Sequence, residues 1–418
     1  MSFSLLKITT LYPEFLNNYY QKYPDIIYKS FHEQNEHLLS LTSEPAGSYT
    51  FTLRDLGVDA RVIIMNASPL LSAFENESQI KSNGSLTDRV IRQIKYVNPD
   101  IIWLDDIRLM NKKVISKIKQ NVNGTRIIFG SHCAPFSKNA AENFKSLDFI
   151  LTCTPGLNNE FRNNGIRSFL LYHAFDPRIH EITEPGVFPR QKKLTFSGSL
   201  FQGGRFHKTR LEFIERILDS FDIQLFCNLE SSSKTIVKKL FYNLFRPCTR
   251  GMNEENLLLR VPFLSRYNEF LFTPVTAYSD KLRTRNQIPV FGFDMYRLLA
   301  DSEIVFNIHG EIAGEYAGNV RLFEATGMGS CLVTDDKRNM KDLFEPDKEV
   351  IVYKNIDECM ERIKWLMNNT LECEAIARAG QKRTLKDHTV RLRCEELINL
   401  IQDELNRNTR SYTATFLS

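Results

Sequence analysis

Long apolar runs are missing from this chain. No stretch of its 418 residues approaches the roughly 18 consecutive apolar residues that a membrane-spanning helix needs. The opening MSFSLLKITTLYPEF is broken at Lys7 and Thr9, so it lacks the apolar centre of a secretion signal. An excess of one charge is missing too: 54 Lys and Arg face 50 Asp and Glu, a net charge of +4, which implies no nucleic-acid partner. The eight cysteines, at 133, 153, 227, 248, 331, 359, 373 and 394, never form a C-x-x-C pair. Reduced, mostly buried thiols are expected in place of disulfides or zinc. Neither half carries G-x-G-x-x-G after a strand, nor G-x-x-x-x-G-K-[ST], so dinucleotide-dependent oxidoreductases and ATPases lose their main support. A D-x-D-like carboxylate pair in a polar turn is also missing, Leu104-Asp105-Asp106 being the nearest approach. These absences predict a soluble, cytoplasmic protein with no bound metal and no nucleic acid.

What is present is an alternation. Hydrophobic residues make up 42% and charged residues 25%, close to globular averages, and the length suits two or three cores. Through residue 175, short β-branched runs (LLKITT, ARVIIM, DIIWLDD, TRIIFGSH, LDFILTCT, RSFLLYHAF) alternate with helical patterns such as LTDRVIRQIKYV and NKKVISKIKQNV. This is the signature of a parallel α/β sheet. A Pro- and Gly-bearing passage at 175–193 breaks the rhythm, which restarts at LTFSGS. The expected fold is two Rossmann-like doubly wound domains facing across a cleft: an N-terminal domain over 1–180, a linker over 181–193, a C-terminal domain over 194–400, and a helix end and frayed tail over 401–418. Ligands of such sheets bind beyond the strand carboxyl ends.

The richest segment is EIVFNIHGEIAGEYAGNVRLFEATGMGSCLVTDD, 303–336. Gly310, Gly314 and Gly318 recur every four residues, where backbone could approach a ligand closely. Asn319 is placed to cap a helix whose free N–H groups suit a phosphate oxygen. Arg321 and Glu324 share one face of that helix, and a carboxylate at such a cleft can accept from the two hydroxyls of a ribose; the alternative is a surface ion pair of little worth. In SGSLFQGGRFHKTR, Gly198 is followed by Arg205, His207, Lys208 and Arg210, cations that suit a diphosphate or simply a solvated helix start.

In the first half, Asp105, Asp106, His132, His173 and Asp176 stand at strand ends, where each could serve as a general base or cap the next element. His132, between a glycine and a proline turn, is the preferred base. Basic and aromatic residues interleave in KTIVKKLFYNLFR, 234–246. This piece either rests on anionic lipid or is a helix burying Ile236, Leu240, Phe241 and Leu244.

NVRLFEATGMGS, with the following LVTDDKRNMKDLFEPDKEVIVYKNIDECMERIKWLM and IARAGQKRTLKDHTVRLRCEELI, resembles group 1 glycosyltransferases of the GT-B fold with a CgeB-like C-terminal domain. The resemblance is specific over about 290–400 and weaker before 190. It implies a C-terminal domain holding a nucleoside-diphosphate sugar, an N-terminal domain presenting a glycan or glycan-lipid acceptor, a last helix that crosses back, and a place in polysaccharide biosynthesis. No cofactor or metal is implied; peripheral contact with the inner membrane face is expected only from the lipid reading of 234–246. Glu324 matches the glutamate that binds the donor ribose, and Gly327 and Gly329 the turn after it. The family's second glutamate, eight positions earlier, is Tyr316 here, with Glu311 and Glu315 out of register. Glu311 and His132 are then the catalytic candidates; Gly198, Arg205, His207, Arg210, Gly310, Asn319, Arg321 and Glu324 the donor-binding ones. The alternatives are a nucleotide-sugar epimerase of the same architecture and a catalytically idle glycan-binding protein.

Overall fold

In the computed structural model, which describes residues 3–43, 46–80, 83–200, 208–249, 275, 278–310 and 313–416, the apolar runs of the first half form six parallel strands. These are β1 (Ser4–Thr9), β2 (Asp59–Ile64), β3 (Ile101–Leu104), β4 (Ile127–Ser131), β5 (Ile150–Thr152) and β6 (Ser168–Leu170), in the order β2-β1-β3-β4-β5-β6. Side chains alternate between faces along each strand, and both faces are apolar. Leu5, Ile101, Trp103, Ile127 and Phe129 enter one core, whereas Leu6, Ile8, Ile102, Leu104 and Ile128 enter the other. Burial on both faces is what a parallel sheet flanked by helices demands. Lys7 is the exception on the first face: buried, it lies 3.7 Å from the Trp103 ring centre and 3.6 Å from Asp105.

The second sheet comprises β7 (Lys192–Leu200), β8 (Gln224–Leu229), β9 (Ser302–Phe306), β10 (Cys331–Asp335) and β11 (Ile351–Tyr353), again all parallel, in the order β11-β10-β9-β7-β8. In each sheet the winding direction reverses beside the domain's first strand, between β1 and β3 and between β7 and β9, which puts the ligand crevice of each domain at that switch.

The linker is stapled to the second domain by Arg190. Its guanidinium donates to the carbonyls of Gly186, Leu299, Ser302, Met328 and Gly329 at 2.6–3.1 Å, and its main-chain N–H to Glu303 at 2.9 Å. Burial pulls its pKa down to about 10, so it stays charged. Gly329, which offers one of these carbonyls, has φ of +71°, the left-handed geometry that glycine adopts without cost just past a helix end.

The last helix, Val390–Phe416, is longer than the frayed tail expected from TRSYTATFLS, since neither Gly nor Pro interrupts it. It returns to the first domain. Val390, Cys394, Leu397, Ile401 and Leu405 fill the core beside Leu5, Trp103 and Phe129, and Arg167 grips Glu404 through two bonds of 2.7 and 2.6 Å. The boundary expected at residue 400 therefore falls inside a helix that serves the N-terminal domain. Where the chain crosses, Phe175 exchanges main-chain bonds with His388 and Val390.

His388 lies between Phe323 and Phe344. Burial depresses its pKa to about 4, despite a hydrogen bond to the Leu343 carbonyl and with help from the nearby Arg393. An unfolded histidine protonates near pH 6.5, so between these values the unfolded chain binds the extra proton. Stability from this ring is whole above about pH 6.5 and lost as pH falls toward 4, by up to about 3 kcal/mol. Thermal unfolding at pH 7 and pH 4.5 is expected to show a larger drop for the wild type than for His388→Asn; equal drops would mean that the ring does not carry this dependence.

Candidate active site

Glu324 and Arg321 stand on the short helix Arg321–Gly327, over the switch between β7 and β9. The Arg321 Nη1 donates to Glu324 Oε2 at 2.7 Å, and its Nη2 reaches the Ser197 carbonyl of β7 at 3.5 Å. Tyr296, from the helix Phe293–Ala300, donates its hydroxyl to Glu324 Oε1 at 3.3 Å. The two side chains are only 14% and 12% exposed, which rules out the freely solvated ion pair. Both carboxylate oxygens are thus oriented, while each keeps lone pairs for a ligand.

Asn319 does not cap this helix. Its amide donates to the Asn307 side chain at 2.9 Å, which in turn donates to Thr334 at 2.9 Å, tying the loop to β10. Its own oxygen is buried with no partner. The first-turn N–H groups of Leu322, Phe323 and Glu324 already bond the carbonyls of Asn319 and Val320, so the expected phosphate seat at the helix end is largely spent internally.

A second pair lies at the ends of β9 and β10. Asp335 Oδ1 accepts from the His309 main chain at 2.9 Å and faces its ring Nδ1 at 2.7 Å, while Lys337 lies 3.2 Å from Asp335 Oδ2. Burial pushes the Asp335 carboxyl up, but His309 and Lys337 outweigh it and hold it below its usual range. The outer Nε2 of His309 is buried without a partner, a state that native proteins normally relieve with a ligand or water. Sequence reading passed over this pair, although both residues sit at carboxyl ends of adjacent strands.

The basic stretch after β7 is only partly described. Gly198 lies within β7, paired with Cys227, rather than in a turn after it. Arg210 donates to the carbonyls of Ser199 at 3.1 Å and Ile308 at 3.0 Å. It therefore clamps the carboxyl ends of β7 and β9 together, and the diphosphate contact expected of it would have to compete with those bonds. Arg205, His207 and Glu311 lie outside the described residues, as does the Lys208 side chain. Gly310 follows His309 and accepts from the Ala313 N–H at 3.0 Å.

On the opposite domain, His132 has the expected place beyond β4, but its ring turns inward among Phe136, Phe144 and Phe161. Burial lowers its pKa and leaves Nε2 without a partner. An imidazole so enclosed cannot reach an acceptor hydroxyl in this conformation. Asp106 is tied to Arg108 and Asp176 to Arg178, each in its local turn, whereas Asp105 accepts from Thr9 at 3.0 Å and ties the end of β3 to β1. The domains meet where a Cβ on Gly318 would come within 2.7 Å of the Cys153 carbonyl and one on Gly156 within 2.6 Å of the Tyr316 ring. Gly318 thus admits the other domain's backbone, not a ligand, and Tyr316 seats the two domains.

Residues 256–399 match a family model described as glycosyl transferase-like. No curated protein matches the chain. Among solved structures, HepE of Anabaena in complex with UDP and glucose superposes with a TM-score of 0.58 at 12% identity, covering 96% of this chain and 100% of that one. A glycosyltransferase from Rickettsia africae gives 0.53 at 10%, with coverages of 97% and 99%. Sucrose-phosphate synthase of Thermosynechococcus elongatus gives 0.53 at 9%, with 96% and 98%. Two doubly wound domains and a returning last helix give this chain the GT-B fold of these structures, and residues 256–399 within it are similar to a glycosyl transferase-like family.

Proposed function

We propose that the protein moves a glycosyl group from a nucleoside-diphosphate sugar, held by the C-terminal domain, to a carbohydrate or glycan-lipid acceptor on the N-terminal side. The observation that carries this reading is the Glu324 carboxylate, aimed by Arg321 and Tyr296 at the β7/β9 switch. HepE, of like fold, has been crystallised with UDP-glucose, which supports a nucleotide-sugar donor. Charge leaving with the diphosphate calls for nearby N–H donors and cations; Arg321, held beside Glu324, is the cation placed for this. No metal is assigned to this step, because among the described residues no carboxylate group with metal-ligand spacing stands at the donor edge.

The helix Ser232–Thr249 favours a lipid-borne acceptor. The sequence allows that it buries Ile236, Leu240, Phe241 and Leu244; Phe241 is half-buried, but the other three stand 58%, 63% and 71% exposed, as does Val237 at 53%, beside the exposed Lys234 and Lys239. An apolar face flanked by lysines suits the headgroup boundary of an anionic membrane, and no described helix is long and apolar enough to cross one.

Two measurements test this reading. Leaving ribose hydroxyls without their acceptor costs roughly 1–3 kcal/mol, so Glu324→Gln is expected to weaken nucleoside-diphosphate binding about 10- to 100-fold with the fold intact. The variant should also discriminate little between ribo and 2′-deoxy forms, and Arg321→Ala combined with it should lose less than the two single losses added. Calorimetry showing undiminished discrimination would take Glu324 off the ribose. In sedimentation with anionic vesicles, Leu240→Ser with Leu244→Ser should bind less than the wild type at unchanged thermal stability; a wild type that never sediments would leave the helix without a membrane role.

A further inference from the structure

Three side chains that the donor site does not use converge at the carboxyl edge of the first sheet. Cys133, Cys153 and His173 follow the adjacent strands β4, β5 and β6, and stand twenty residues apart, one βα unit each. The topology therefore brings into one row what the sequence separates, which is why a search for C-x-x-C spacing passes over it. Their sulfur and ring-nitrogen atoms all lie within 4.8 Å of one another, and the Cys133 thiol shares hydrogen bonds with both Cys153 and His173.

We propose that Cys133, Cys153 and His173 bind a divalent cation of the zinc class. Zn–S bonds of about 2.3 Å and Zn–N bonds of about 2.0 Å place tetrahedral ligand atoms roughly 3.5–3.8 Å apart. A set already within 4.8 Å needs to contract by only about 1 Å to meet that geometry. Two thiols and an imidazole select zinc-like cations over magnesium or calcium, which take oxygen ligands. The ligands come from three turns anchored on neighbouring strands, so little backbone freedom is lost on binding. These three side chains supply three ligands and leave the fourth position to water or a substrate oxygen, the pattern of an open rather than a closed zinc site. Binding deprotonates both thiols and releases those protons to solvent. The bound cation would fix the Cys153–Thr154 turn on which Gly318 of the other domain rests.

The test uses the full chain, reduced and stripped with a chelator, and titrated with Co2+ as an absorbing stand-in for zinc. One equivalent is expected to bind with a thiolate-to-cobalt charge-transfer band and tetrahedral visible absorption, both abolished by added Zn2+. Cys133→Ser, at an exposed position where circular dichroism should be unchanged, is expected to weaken cobalt binding by at least about 100-fold, beyond what loss of an orienting partner costs. His173→Asn should keep a weakened thiolate band. A wild type with no charge-transfer band overturns the proposal, as does a band undiminished in Cys133→Ser. A Cys133–Cys153 disulfide found by non-reducing mass analysis, with no cobalt bound after its reduction, overturns it in favour of a redox pair.

Discussion

One buried guanidinium fixes how the second domain is entered. Arg190 comes from the linker, yet its partners are carbonyls at the amino end of β9 and at the turn before β10. Burying a charge is costly unless it is paired or hydrogen-bonded, and here five main-chain carbonyls share the load of the two terminal nitrogens. Through these shared bonds the linker, the start of β9 and the turn at Gly329 hold one another in place. The helix bearing Glu324 runs directly into that turn. The position of the carboxylate at the switch thus depends on a residue far from the cleft.

The C-terminal domain commits some polar groups of this edge to its own structure and leaves others with capacity to spare. Arg210 and Asn319 are consumed in tying strand ends together, and Tyr316 in seating the other domain. Glu324 and Arg321 are oriented by each other and by Tyr296 with capacity left over, and His309 is oriented by Asp335. On the reading proposed above, such preorganisation by neighbours is what electrostatic binding in a low-dielectric crevice requires.

Much of this could be read from the chain. The six β-branched runs of the first half became six strands, and the helical patterns LTDRVIRQIKYV and NKKVISKIKQNV became the helices Leu86–Val97 and Lys112–Asn121, because two-sided burial and helical spacing write themselves into local sequence. That Glu324 and Arg321 share one helix and bond each other was legible because both sit in a short motif between two strands. What stayed hidden depends on distant partners. The inward turn of His132 is dictated by Phe136, Phe144 and Phe161, and its place in the chain says nothing of that. Asn319 has the chemistry of a helix cap, but Asn307 outcompetes the helix for it. The Cys133, Cys153 and His173 cluster exists only once three strands are aligned. The exposed face of the helix Ser232–Thr249 carries the same apolar spacing as a buried one, and periodicity alone cannot say which side of a domain boundary it meets.

The helix that closes the first core is made only after the second domain. Val390, Cys394 and Leu397 pack against Leu5 and Trp103, so that face of the N-terminal sheet leaves synthesis only partly covered, by Tyr49 and Leu53, until the second domain has followed it. Domains are made amino end first, at ~5–20 residues per second, which leaves that face open for tens of seconds. Such a face is what chaperones recognise. The two halves of this protein are separate in architecture but cannot mature independently: the first domain begun is the last one finished.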